Sequence, residues 1–342
     1  MDMHSGKNIL WMVLVCLMSF PLSAQDIHFS QYMNSPLNLN PALSGFHGQK
    51  FRFILNHRNQ WSSVSEPFKT YSASADMQLW KRKRQSDMFG LGVLFNNDQA
   101  GDSKFGTTQG AISLSYVKAL SKNNRNLLGF GVQFFYSQRS IDYTKLYFPN
   151  AWTGTIYDPN QQSGENFTVN SFSYFDISAG IHWFSIINSN LRFNTGVSVW
   201  HINQPGQSLM NDDEITLDIK ILAYTEAQID LDQVNNLFPT LYFAHQGPFN
   251  ELTFGMKYQH LIHPNKRNYT AINAGLYARN ADALIIQIGL DYKKFKIAGS
   301  YDLNYSSLHV ASNYLGGYEI SVTFLIDKHK VEKPSDLPCP IF

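Results

Sequence analysis

From Phe51 onward the chain alternates large apolar residues with small or polar ones at a period of two, in stretches of about ten residues. The clearest are Tyr71, Ala73, Ala75, Met77 and Leu79 against Ser72, Ser74, Asp76 and Gln78, and Leu128, Phe130, Val132, Phe134 and Tyr136 against Gly129, Gly131 and Gln133. The same alternation runs through 250–259, 283–292 and 317–327. Read in order, it predicts fourteen strands near 49–61, 70–80, 89–97, 109–120, 126–137, 172–185, 190–201, 219–229, 237–245, 250–259, 270–279, 283–292, 295–304 and 317–327. One face of these strands is apolar. The other carries Gly, Ser, Thr, Gln and scattered charge, which suits a polar lumen better than a dry core. A soluble β-sandwich also alternates, but its greasy faces would turn inward, so the pattern favours an all-β chain: a transmembrane antiparallel β-barrel of about 14 strands.

The connections support the same architecture. Those after odd-numbered strands include the long ones, 138–171, 202–218 and 305–316, whereas those after even-numbered strands are short, such as 121–125, 186–189 and 293–294. Barrels of this kind place long loops outside the cell and short turns in the periplasm. Both chain ends are then expected on the periplasmic side.

Ahead of the strands lies a polar, proline-punctuated stretch, residues 25–48, that matches no strand pattern. Pro36 and Pro41 lack an N–H and bias the preceding residue away from helix, so the reading is a short helical turn near Phe29–Met33 followed by an extended run. This segment is expected to start in the periplasm and to plug or brace the lumen. Gln31, Asn34, Asn38 and Asn40 would satisfy inward polar groups, Phe29 and Tyr32 would anchor it, and Pro36 and Pro41 would keep it from pairing as a further strand. Residues 1–24 have the anatomy of an export signal: Lys7, an apolar core from Ile9 to Phe20, and a small residue, Ala24, after which cleavage is expected. The organisation is therefore a signal peptide (1–24), a plug-like segment (25–48), an outer-membrane barrel (49–327) and a periplasmic tail (328–342).

Composition narrows the function. Charged residues are 15% of the chain and aromatics 14%, a combination unusual for a soluble globule. The net charge of +1 gives no case for nucleic acid, and the run Lys81–Arg84 reads as a solvated turn. Cleavage removes Cys16 and leaves Cys339 alone, which excludes an intrachain disulfide and a cysteine metal cluster. His260 and His263 fall in an expected short turn without an acid pair, and no motif sets a Ser and an acid beside His182, His201, His245 or His309. There is no phosphate loop or dinucleotide fingerprint. We therefore expect no catalytic residues, no metal, no cofactor and no enzymatic activity.

Closing the barrel would pair 49–61 with 317–327 and bring Arg58, Glu319 and Asp302 together at one end of the seam, all inward by parity. Such a cluster would fix the seam or hold an inserted segment. Aromatics of the 138–171 connection, Tyr147, Phe148, Trp152, Tyr157 and Phe167, have the character of contact hot spots, and Tyr143 and Phe172 that of the interfacial belt.

Several stretches resemble one known family. Phe29-Ser-Gln-Tyr32, Pro36-Leu-Asn-Leu-Asn-Pro-Ala42 with Gly45, and Arg58-Asn-Gln-Trp61 look like the N-terminal signature of the PorP/SprF outer-membrane proteins of Bacteroidota. The likeness continues through Phe172–Gly180, Asn194–His201, Tyr301–Leu308, Gly316–Ser321 and Cys339–Phe342; it departs mildly at Asn34-Ser35. The resemblance implies a non-enzymatic outer-membrane component of the type IX secretion system and of gliding motility. Its partners would be periplasmic and outer-membrane secretion components, outer-membrane lipid and, in some members, one secreted surface adhesin. The residues expected to contact lumen or partner are Phe29, Gln31, Tyr32, Asn40, Pro41, Arg58, Trp61, Asp302, Asn304 and Glu319. The alternative is an outer-membrane porin or a channel for apolar ligands, which would need an open lumen.

Overall fold

The computed structural model describes residues 26–62, 66–81, 87–121, 123–146, 148–152, 154–156, 158, 169–209, 214–264, 269–306 and 312–326. The expected signal peptide and its cleavage site, Arg82–Arg84 of the basic run, Tyr147, Tyr157, Phe167, His309 and the tail with Cys339 lie outside them.

Fourteen strands form one closed antiparallel barrel: β1 (Phe51–Gln60), β2 (Phe68–Lys81), β3 (Met88–Ala100), β4 (Phe105–Ala119), β5 (Asn126–Ser140), β6 (Ser171–Ile186), β7 (Leu191–Trp200), β8 (Lys220–Asp230), β9 (Asn235–Gln246), β10 (Phe249–His263), β11 (Thr270–Arg279), β12 (Ala283–Tyr292), β13 (Phe295–Asn304) and β14 (Leu315–Ile326). Each strand pairs with its chain neighbours, and β1 closes on β14 from Phe51↔Ile326 to Gln60↔Gly317. Among the described residues no helix is long and apolar enough to cross a membrane. The strands run 10–16 residues, enough to span a bilayer when tilted.

Outward positions carry the greasy face, such as Leu55, Ile112, Leu276 and Ile288, the last 68% exposed. That is the composition a hydrocarbon surround requires, since every backbone polar group is satisfied by the closed ladder. Pro239 sits within β9 without breaking it. The β8–β9 register passes from Glu226↔Thr240 to Ile229↔Leu237, skipping the proline, while β10 still pairs across it at Met256↔Pro239. A missing N–H thus costs one side of the ladder only. His260 and His263 belong to β10 rather than to a turn, because that strand extends to His263.

Two expectations need correction. The stretch after Met33 is not extended: it forms successive single turns at Tyr32–Asn34, Pro36–Leu39 and Pro41–Leu43. Pro36 and Pro41 each stand at the first position of a turn, where a helix has no use for the missing N–H, so the prolines start turns instead of preventing them. The lumen, too, is not purely polar. Leu37, Leu39, Leu43 and Phe46 form an apolar core inside the barrel with Leu94, Val117, Leu127, Phe135, Phe184, Trp200, Leu222 and Tyr242. These inward apolar residues face the segment, not water, which is why the alternation is imperfect where it packs.

Candidate functional site

The site is the contact between residues 26–48 and the inward face of the barrel. Seen along the lumen, the segment lies against three groups of side chains.

Near the short-turn end, Asp76 of β2 receives Arg52 of β1 through Nε at 2.9 Å and Nη2 at 2.8 Å, and accepts the Gly45 N–H at 2.7 Å. Arg52 also donates to the Leu43 carbonyl at 3.1 Å. This two-pronged geometry suits a guanidinium and a carboxylate that are both nearly sealed from solvent.

At mid-height, Asn40 is fully buried and donates to the carbonyls of Ile181 and Val197 at 3.0 and 3.2 Å, while its Oδ1 accepts the Ala42 N–H at 2.9 Å. Ser198 and Ser115 donate to the Leu39 and Ser44 carbonyls, and Asn38 donates to Ser72. The approach is close enough to demand glycine on the wall. A Cβ on Gly131 would stand 2.2 Å from the Ala42 nitrogen and 2.3 Å from the Pro41 carbonyl carbon, and one on Gly180 would stand 2.1 Å from Asn40 Oδ1.

At the long-loop end the charges gather. Glu319 accepts the Ser30 and Gln31 backbone N–H groups at 2.8 and 3.2 Å, and Gln31 Nε2 donates to the Glu319 carbonyl and to Ser300. Asp302 accepts Ser30 Oγ at 2.7 Å and Arg58 Nη2 at 3.1 Å. Arg58, 2% exposed, also donates to the His28 carbonyl at 3.2 Å. Arg279 completes the group: it donates to Ser30 Oγ at 2.7 Å and lies 3.2 Å from Asp302, 3.2 Å from Glu251 and 2.9 Å from Asp282. Each buried charge has an opposite charge or a backbone group beside it, as a sealed ionic cluster requires.

Beside it, His201 stands between two carboxylates, Nδ1 2.7 Å from Asp176 and Nε2 3.2 Å from Asp26. Lys220 lies 3.4 Å from Asp26 and donates to the Ile27 carbonyl at 3.2 Å. Burial opposes ionisation of Asp26, but Lys220 and His201 outweigh it and hold the carboxyl below its usual range. Burial likewise opposes charging His201, and hydrogen bonds from the imidazole to Asp176 and Asp26 push it up to about 9.

Of the residues read from the sequence, Arg58, Asp302, Glu319 and Gln31 meet in one cluster, with Phe29 buried nearby in the chain and Tyr32 stacked on Tyr242 at 4.6 Å. Asn40 and Pro41 lie at mid-height, Pro41 accepting from Ser44 and Ser113. Trp61 does not join them: it sits just past β1, packed edge-on against Phe68 at 5.1 Å, and Asn304 is buried at the end of β13 with its backbone N–H on Tyr314. Of the loop aromatics within the described residues, Trp152 is 58% exposed. Sequence reasoning missed Arg279, Glu251, Asp282 and the Asp26–His201–Asp176–Lys220 group. The available signal was register, since Arg279, Lys220 and Asp302 all stand within two residues of strand ends at the same mouth.

The segment also runs the opposite way from expectation. Its junction with β1 is at the short-turn end, where Lys50 N–H meets the Ile326 carbonyl, and Asp26 lies at the long-loop end beside Gln246, Lys220 and His201. Strand order located the start of β1; it said nothing of how far up the lumen the preceding residues reach.

A closed, even-stranded antiparallel barrel with an apolar belt and a non-barrel N-terminal segment against its inner wall is an outer-membrane protein. Residues 22–324 match the family described as "Type IX secretion system membrane protein PorP/SprF", and the chain belongs to that family. No curated protein matches it. Among solved structures, the deltaS2 mutant of the TodX monoaromatic hydrocarbon channel aligns with a TM-score of 0.50 at 9% identity, covering 86% of this chain and 94% of its own. The Ralstonia pickettii toluene transporter TbuX gives a TM-score of 0.49 at 9% identity, with 85% and 92% covered, and a Pseudomonas aeruginosa FadL homologue gives 0.49 at 9%, with 85% and 93%. At that identity the likeness is one of fold.

Proposed function

We propose that the protein is a non-enzymatic component of type IX secretion and gliding motility that supports export or surface attachment of a secreted protein such as an adhesin, and that its barrel is a plugged docking body rather than a conduit. The long loops face the cell surface and the short turns the periplasm, the usual placement for such barrels. Residues 1–24 are a signal peptide, residues 25–48 the plug and residues 328–342 a periplasmic tail.

The carrying observation is the filled lumen. Leu37, Leu39, Asn40, Ala42 and Leu43 of the segment are 0–2% exposed, and so are Ser113, Gln133, His182 and Glu319 on the wall. A cavity of about 30 Å³ among Asn34, Gln259, Asn273, Asp291 and Lys296 has room for water, not for a solute in transit. Family membership supplies the secretion context, and the packed interior argues for work done on the outside of the body.

Two measurements test the reading. Pull-down from gently solubilised membranes with mass spectrometry should recover type IX secretion components and one large secreted protein; their absence would sink the secretion role. Liposomes carrying the intact protein should show no swelling with small sugars. Swelling equal to that of an open porin would instead favour the channel alternative.

A further inference from the structure

We infer that the N-terminal segment is threaded through the barrel and that the chain ahead of Asp26 leaves at the cell-surface mouth, so the processed N terminus is displayed outside the cell while β14 ends at the periplasmic face. The inference rests on the membrane orientation adopted above.

The direction of the segment is fixed at three heights. At the bottom, Phe46 packs edge-on against His182 at 4.6 Å and Phe184 at 5.9 Å, close to the short-turn end of β6. In the middle, Asn40 bridges the β6 and β7 backbones. At the top, the Asp26 N–H donates to Oε1 of Gln246, the last residue of β9 before a two-residue connection at the long-loop end. The Asp26 carboxylate is held there by His201 and Lys220, the residues that bracket the 201–219 connection.

A return path to the periplasm is closed by the segment itself. Phe29, Ser30, Gln31, Leu37, Leu39, Asn40 and Ala42 are at most 5% exposed, so the space below Asp26 is already occupied. A second strand of chain would have to displace close-packed side chains, and protein interiors carry few voids larger than a water molecule. Only the mouth above Asp26 remains. The ionic group there is a clamp for the end of the chain: two carboxylates, an imidazole and an ammonium fix the last buried turn before the backbone leaves.

The test is a set of single cysteines in full-length protein in intact cells, on a Cys339→Ser background: Gln25→Cys, with Trp152→Cys as a long-loop control and Lys294→Cys as a short-turn control. A membrane-impermeant maleimide should label Gln25→Cys and Trp152→Cys without permeabilisation and Lys294→Cys only after it. Labelling of Gln25→Cys only after permeabilisation, or under neither condition, with both controls behaving, overturns the threading. Exchanged controls refute the orientation and the display with it, and so distinguish failure of that reading from failure of the path. A short epitope inserted between Gln25 and Asp26 gives a second readout that does not depend on thiol reactivity. Antibody binding to intact cells is expected, and binding restricted to lysed cells would overturn the inference.

Discussion

Gly131→Ala puts one methyl group where the segment and the wall meet. The new Cβ would stand 2.2 Å from the Ala42 nitrogen and 2.3 Å from the Pro41 carbonyl carbon, and both are backbone atoms that cannot rotate away. Overpacking of this kind costs about 1–3 kcal/mol. Expelling the segment would cost far more. Leu37, Leu39, Leu43 and Phe46 are each 1–2% exposed, and returning four such side chains to water costs on the order of 10 kcal/mol. Strain is therefore the cheaper response: the variant should keep its segment inside, remain closed to solutes, and lose about 1–3 kcal/mol of stability. Gly110→Ala on the neighbouring strand is the control, because nothing lies within 4 Å of its added Cβ. The assay is the temperature at which the folded, fast-migrating band converts to the unfolded one on a semi-native gel, run with a liposome-swelling measurement. Gly131→Ala melting together with Gly110→Ala and wild type would refute the close approach. A melted or conducting Gly131→Ala barrel would show that the segment is held far more weakly than its burial implies.

Two further predictions concern the charged groups. Arg58→Ala leaves Asp302 and Glu319 short of a buried partner and should cost about 3–5 kcal/mol, with part of the loss recovered by adding Asp302→Asn; equal melting of the single and double variants would exclude the coupling. His201 lies beyond β7 and is raised from 6.5 to about 9, so its contribution is fully present below pH 6.5 and is lost as the pH rises through about 9. Asp26 is lowered, so its contribution is present above its ordinary value of 3.8 and fades as the pH falls toward the folded-state value. Proteolysis near residues 26–28 should therefore rise above pH 9 and in strong acid, and a flat profile across that range would remove the clamp.

The barrel was legible because its physics is local and repeated. Each strand announces itself by alternation, and the fourteen predicted segments each overlap the observed strand, with ends shifted by a few residues where loops continue the ladder, as at Gln138–Ser140 of β5. The seam cluster was legible for the same reason: parity turned Arg58 inward, and closure set it opposite Glu319. The segment was less so. Nothing in a strand pattern says that Pro36 and Pro41 will open turns, that Leu94 and Phe135 face a packed core, or that Asp26 will stand beside Lys220, 194 residues away. Those are properties of how a non-periodic stretch fits a cavity, and the cavity exists only once all the strands are in place. Histidine reading failed likewise: His201 carries no motif, yet β6 supplies Asp176 and the segment supplies Asp26 on either side of its ring.

The β1–β14 seam closes around a chain that already occupies the interior, and this imposes an order on assembly. Residues 26–46 are the first of the mature protein to be synthesised, yet their partners include Glu319 on the final strand. A barrel that zipped shut empty would trap its own beginning outside. The early residues must wait in a half-formed sheet until the last hairpin arrives, and Ser30 and Gln31 can make their bonds to Glu319 only when that strand is delivered. Closure of the wall and seating of the segment thus become one event, and a barrel locked at its seam certifies that its interior has been filled.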